Sequence, residues 1–306
     1  MLREYVQQVH LVTEVLPFVA VEDCFAIKGG TAINLFELNL PRLSVDTDLT
    51  YVKMAGRDEA IEGINLALER IVKELKKAGI DARLSGADNA RKMYCSKDKI
   101  IIKVEPNFIL RGTAYPVRPL KVCNRIVELT RNETVMQVLS FKELYGGKVC
   151  AALDRQHPRD LFDMAQFYKS HSLAEVKDGF LVLALGHNRP LHELLGPMIQ
   201  EQSEIFDQQF AGMSDVPFSY DEHLATLERL TADVKGLFDD GDKQRLLDFV
   251  SLSGEENAWG IPHFGDLPAI RWKRRNLESL RKSNPAKFTA QREALERLFE
   301  IFSTER

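Results

Sequence analysis

Apolar positions change period several times along the first third of the chain. Helical spacing runs to about Val19, an apolar run spans Cys24 to Ile27, and a second helical stretch begins at Thr31. Leu43, Val45, Leu49 and Val52 then frame a strand, and Asp58 to Ala78 returns to helical spacing. A turn-rich stretch, Ser85 to Asn89, leads into Asp98 to Leu110. There Lys99, Ile101, Lys103, Glu105 and Asn107 alternate with Ile100, Ile102, Val104 and Phe108, the pattern of a long strand with one polar face. Pro106 predicts that this strand lies at a sheet edge or ends there.

Past the Pro-containing segment Tyr115 to Leu120, a short strand is expected near Arg125 to Leu129, and from there helical periodicity runs almost to the end. The pattern predicts an α+β chain: residues 1–135 form a mixed sheet with flanking helices, and residues 136–306 a mostly α-helical domain. Pro190, Pro197, Pro217, Gly254, Gly260 and Pro262 divide the second part into several helices, with Asp239-Asp240-Gly241-Asp242 as a solvated turn.

A length of 306 residues with 44% hydrophobic residues suffices for two cored domains. The net charge of -4 argues against a protein that coats a polyanion, although a local basic patch fits within a balanced total. Cys24, Cys95, Cys123 and Cys150 lie far apart, without the spacing of a zinc site, and read as buried free thiols. Neither a signal peptide nor an apolar tract of the roughly 18 residues a membrane span needs is evident, so a cytoplasmic protein without membrane partners is expected.

Two constellations carry chemistry. Lys28-Gly29-Gly30-Thr31-Ala32 joins an apolar strand to a helix. Glycines there let a phosphate approach the N–H groups of the helix start, and Thr31 adds a hydroxyl, although a Gly-Gly turn often serves only as a turn. Downstream, Asp46 and Asp48 stand two apart on a strand, so both carboxylates point the same way and suit Mg²⁺, which favours oxygen ligands. A polar strand face is the plain alternative.

In the second constellation, Ser140-Phe141-Lys142-Glu143 has the form of a capping box that starts a helix. Lys148, Ala151, Ala152 and Arg155 share its faces, and with Gly146 and Gly147 they predict close packing on another element. The helix gives way at Gln156-His157-Pro158, and Arg159-Asp160-Leu161-Phe162-Asp163 opens the next with proline near its first turn. Capping and an Arg159–Asp163 pair would also explain these residues.

A glycine turn, a helix and then Asp-x-Asp on the next strand resembles the DNA-polymerase-beta-like nucleotidyltransferase signature, with Glu105 the best-placed third metal carboxylate. The whole set, Lys28-Gly29-Gly30-Thr31, Arg42-x-Ser44-x-Asp46-x-Asp48, Lys148-x-x-Ala151 with Arg155, and Arg159-Asp160-Leu161-Phe162-Asp163, resembles the AbiEii/MenT-type toxins of type IV toxin–antitoxin systems. Leu267 to Lys273 is similar to that family's C-terminal helical region. The resemblance implies a monomeric enzyme that moves a nucleoside monophosphate from an NTP to an acceptor with Mg²⁺, or Mn²⁺ in its place. Asp46, Asp48, Lys148 and either Asp160 or Asp163 would be catalytic. Gly29, Gly30, Thr31, Ser44, Lys148, Arg155 and Arg159 would hold the nucleotide, and Asp46, Asp48 and Glu105 the metal. It further implies the 3′ end of tRNA as acceptor, growth arrest or phage defence as outcome, and a cognate antitoxin of transcription-regulator type. A small-molecule or protein acceptor, or nucleotide binding without turnover, stays open. From the residues alone, Arg271, Lys273, Arg274, Arg275 and Arg281 beside Trp272 could touch RNA or form a solvated helix face.

Overall fold

The computed structural model describes residues 2–255 and 258–304. The chain forms two compact units: one holds the sequence through Ser140 together with Asp207–Pro217, the other Phe141–Phe206 together with the sequence from Phe218 onward.

The first unit is built on a seven-stranded mixed sheet in the order β3-β4-β5-β2-β1-β7-β6. In chain order its elements are α1 (Arg3–Ala20), β1 (Phe25–Lys28), the short α2 (Gly29–Ala32), which continues as a π-helical turn over Ile33–Glu37, β2 (Asp46–Tyr51), α3 (Arg57–Lys77), β3 (Asp81–Ser85), β4 (Lys92–Lys97), β5 (Ile100–Asn107), β6 (Arg118–Lys121), α4 (Asn124–Thr130) and β7 (Val135–Val138). β2 runs antiparallel to β1 and parallel to β5. α1 packs against β5 and β7, and α3 against β3. Period-two burial follows from this one-sided cover: Ile102 and Val104 face the core, while Lys103 and Glu105 stay half-exposed on the opposite face.

The fold is the α+β architecture expected, with corrections in detail. Arg125 to Leu129 lies in helix α4, not a strand; Ile126 is its fully buried anchor. β3, β4, β6 and β7 are additional to the expected strands. Asp98 and Lys99 have φ of 49° and 69°, so they make the tight turn between β4 and β5 and do not begin the strand. β5 is flanked by both β4 and β2 and so is not an edge, but it ends at Asn107, one residue past Pro106, as the other expected alternative has it. Its ladder with β4 ends at Met93↔Val104, while pairing with β2 continues through Leu49↔Pro106 and Thr50↔Asn107. The expected boundary near residue 135 falls on β7, whose Val138 pairs with Ile27 of β1. Residues 207–217 return to this unit: Leu43 N–H donates to the Met213 carbonyl at 2.7 Å, and Arg42 and Ser214 form a β-bridge.

The second unit is helical: α5 (Phe141–Arg155), α6 (Pro158–Phe167), α7 (Lys177–Leu185), α8 (Leu191–Leu195), most of α9 (Ser203–Gln209), α10 (Tyr220–Leu237), α11 (Asp240–Val250), α12 (Pro268–Ser283) and α13 (Pro285–Thr304). The close packing expected of α5 is found against α7. A Cβ on Gly146 would lie 2.3 Å from Phe180 N, and one on Gly179 only 1.9 Å from the Lys142 carbonyl oxygen, so backbone meets backbone. Asp239 caps α11 through the Asp242 N–H, and Asp242 is buried under ion pairs with Lys177 and Arg245; the segment is a helix start, not a solvated turn. Among the described residues no helix is long and apolar enough to cross a membrane.

Candidate active site

The glycine turn is shaped by what lies behind it. Gly29 has φ 70°, in the left-handed region that costs other residues energy, and a Cβ there would stand 2.7 Å from Asp48 Oδ2. A Cβ on Gly30 would stand 2.4 Å from Arg42 Nη2 and 3.1 Å from Ser44 Oγ. Glycine is therefore required twice, because the turn lies against an acid and a buried guanidinium. Arg42 is 2% exposed and donates from Nη1 to the Leu43 carbonyl at 3.0 Å. Thr31 is fully buried; its hydroxyl lies 2.9 Å from Ser44 Oγ and donates to the Asp46 carbonyl. The expected phosphate contacts of Thr31 and Ser44 thus give way to a different placement, in which both tie the helix start to the start of β2.

Register then builds a row of charge across the sheet. Asp48 is the strand partner of Lys28 on β1 and of Glu105 on β5, and Asp46 is the partner of Lys103. Burial pushes the Lys28 ammonium below the usual lysine range, against the opposing pull of Asp48. Glu105 accepts from Lys92 and Lys103, each at 2.5 Å. Burial raises the Glu105 pKa, but the two lysines outweigh it and hold the carboxylate below its usual value. Among the described residues no group of three or more His, Cys, Asp or Glu side chains is placed to hold a metal. Glu105, the strand neighbour of Asp48, is thus engaged by two ammonium groups. Asp46 and Asp48 remain as two half-exposed carboxylates on one strand face, a donor set that fits a hard divalent cation.

In the second unit, Lys148 of α5 reaches Asp160 Oδ1 at 2.9 Å and Asp163 Oδ2 at 2.8 Å, with all three side chains at most 4% exposed. Arg155, whose side chain is 58% exposed, adds a fork to Asp160 at 2.5 and 3.0 Å. Burial raises the Asp160 pKa, but Lys148 and Arg155 overcome it and hold the group well below the ordinary carboxylate range. The Lys148 ammonium is thus engaged by two carboxylates of its own unit. His157 is the N-cap of α6: its Nδ1 accepts the Arg159 N–H at 3.1 Å. Arg159 stands half-buried in the first turn.

Lys28 and Arg42 stand in the motif that carries the family resemblance, but spacing gives them no role in the site, since nothing in it shows that one faces Asp48 and the other lies under the turn. The basic run on α12 divides: Lys273 is buried and donates to the His187 and Arg189 carbonyls at 2.7 and 2.9 Å, which burial accompanies with a pKa lowered to about 8. Arg271 pairs with Asp266 at 2.5 Å, and Trp272 and Arg275 are exposed.

Residues 10–245 match the family described as nucleotidyl transferase AbiEii toxin, type IV TA system. No curated protein matches the sequence significantly. Among solved structures, MenT4, a nucleotidyltransferase toxin from Mycobacterium tuberculosis H37Rv, superposes with a TM-score of 0.60 at 15% identity, covering 97% of this chain and 95% of that one. Cid1 poly(U) polymerase gives a TM-score of 0.27 at 9% identity over 95% of this chain and 94% of its own, too low to define a shared fold. The family match spans most of the chain, and the fold agrees with that of MenT4: this chain belongs to the AbiEii nucleotidyl transferase toxins of type IV toxin–antitoxin systems.

Proposed function

We propose that this nucleotidyltransferase moves a nucleoside monophosphate from an NTP to the 3′ end of tRNA in a Mg²⁺-dependent reaction, and that the resulting growth arrest is countered by its antitoxin. The observation that carries the reading is the Asp46/Asp48 pair beside a glycine turn that lies against the Asp48 carboxylate.

In this reading the triphosphate lies over the turn at Gly29 and Gly30, which the absence of two side chains lets sit against Asp48 and Arg42. The acceptor hydroxyl oxygen bonds to the α-phosphorus, the bond to the bridging oxygen breaks, pyrophosphate leaves with the electron pair, and the hydroxyl proton passes to water. Asp46 and Asp48 would hold Mg²⁺, which when bound neutralises phosphate charge. Lys28 stands beside Asp48 as its strand partner, while Arg42, Thr31 and Ser44 keep turn and strand in register. Lys148, Asp160 and Asp163 act as a buried framework that holds Arg155. Exposed Trp272 and Arg275 on α12 suit contact with RNA.

Incubation of the purified protein with Mg²⁺, each α-labelled NTP and total tRNA tests the proposal. Label is expected on tRNA and is expected to vanish in Asp46→Ala and Asp48→Ala. Label that never reaches RNA, with NTP binding intact, would sink it.

A further inference from the structure

We infer that the acceptor enters along the β5–β4 flank of the Asp46/Asp48 pair, through a cleft that binds the single-stranded end of a polynucleotide by Arg91, Lys92 and Phe108. The inference rests on the transfer reaction proposed above and assigns its second substrate a place.

Three observations support it. The first is stereochemical. Attack and departure at phosphorus lie on opposite sides of the transferred group. Across the sheet the order is glycine turn at the end of β1, Asp48 on β2, Glu105 on β5 and then Lys92, whose ammonium meets Glu105 at 2.5 Å. A triphosphate tail over Gly29 and Gly30 sends pyrophosphate toward β1, which leaves the β5 side for the attacking hydroxyl.

The second is that the β5 side is open. A cavity of about 330 Å³ runs from Lys28 and Asp48 past Glu105 to Arg91, Lys92 and Phe108, a size within the range of small-ligand clefts. Its opening has a sequence cause: Pro106, with no N–H to donate, falls where the β4 ladder stops, while β2 stays paired through Asn107. β4 begins at Lys92 and pairs with β5 no further than Val104.

The third is chemical. Away from Asp48 and Glu105, the charged groups of the wall are basic. Arg91 is held by Glu69 at 3.0 Å and Asp88 at 2.7 Å with a quarter of its side chain exposed, and the Lys92 side chain is 46% exposed. Half-buried Phe108 and Ile109, 43% exposed, add apolar surface beside them. Cations that follow a phosphate backbone and a ring on which a base stacks are how single strands are held without reading their sequence.

The test uses the full chain and a short 5′-labelled single-stranded RNA, with binding followed by fluorescence anisotropy across a salt series. Arg91→Glu is expected to weaken RNA binding about tenfold and to lower the salt slope by about one. NTP binding should stay within about twofold, whereas Asp48→Ala should lose transfer and keep RNA binding. RNA binding by Arg91→Glu and Phe108→Ala equal to that of the parent chain overturns the cleft even if transfer to RNA proceeds. A parent chain that binds RNA through Arg91 but never labels it upholds the cleft and overturns the transfer reading. A small-molecule acceptor whose KM alone rises in Arg91→Glu overturns the polynucleotide. Should Arg91→Glu fold poorly by circular dichroism, Arg91→Gln and Lys92→Gln carry the same comparison.

Discussion

Gly30 and Lys148 each occupy a position where a single atom decides the outcome. A methyl group on Gly30 would displace the guanidinium of Arg42, itself buried under the turn. Gly30→Ala is expected to cost about 1–3 kcal/mol of stability, read by thermal melting, and to cut nucleotide incorporation far more than that loss explains. For Lys148 two roles make different predictions. As a phosphate ligand its loss would abolish transfer and leave melting unchanged. In the buried network with Asp160 and Asp163, Lys148→Met removes the buried cation that both carboxylates engage and should cost about 3–5 kcal/mol. Adding Asp163→Asn should restore part of that loss; a Lys148→Met protein as stable as the parent would refute the framework role. Spacing placed Lys148 and Arg155 on shared helix faces and Asp160 and Asp163 in the next helix, but not which of them pair: burial depends on what packs over α5.

At the level of elements, the helices crossing at Gly146 and Gly179 make opposite predictions for neighbouring glycines. Gly146→Ala inserts a methyl into the Phe180 backbone and is expected to destabilise by about 1–3 kcal/mol or to prevent folding. Gly147 has only Leu183 at 4.0 Å, and Gly236 of α10 has nothing within 4 Å. Alanine at either should stabilise by up to about 1 kcal/mol, since glycine inside a helix is unfavourable; urea midpoints separate the two classes. Amphipathic α3 and the polar face of β5 were legible because one face of each is wet. β3, β4, β6 and β7 are short, and the burial patterns of the first and last, one or two buried residues each, give periodicity little to detect. Arg125 to Leu129 has apolar residues at 126, 127 and 129, which fit a strand or one helical turn equally; tertiary placement over Ile126 decided for helix.

Across the whole molecule, two buried titratable groups make acid destabilising. His223 is fully buried in the second unit beside Tyr220 and Phe206, neither ring nitrogen has a hydrogen-bond partner among the described residues, and burial lowers its pKa to about 4. From its unfolded value near 6.5 down to about 4, the unfolded chain binds a proton the folded one refuses. Stability therefore falls as pH drops through that window, by at most about 1.4 kcal/mol per unit. Asp160, held below its unfolded value near 3.9, contributes stability that is present above that value and lost as pH falls further. Melting across pH should show the upper window flattened in His223→Phe and the lower one in Asp160→Asn; an unchanged profile in both would refute the assignment. By itself, the sequence determined the α+β class, the glycine turn, the Asp46/Asp48 pair and the helix break before Asp160, because each follows from period, capping or backbone freedom over a few residues. Only the tertiary structure decided that Thr31 and Ser44 brace the turn, that Glu105 is engaged by two lysines, that Lys273 is buried, and that residues 207–217 return to the sheet unit. Those outcomes depend on strand register and on contacts between residues far apart in the chain, which local spacing does not encode.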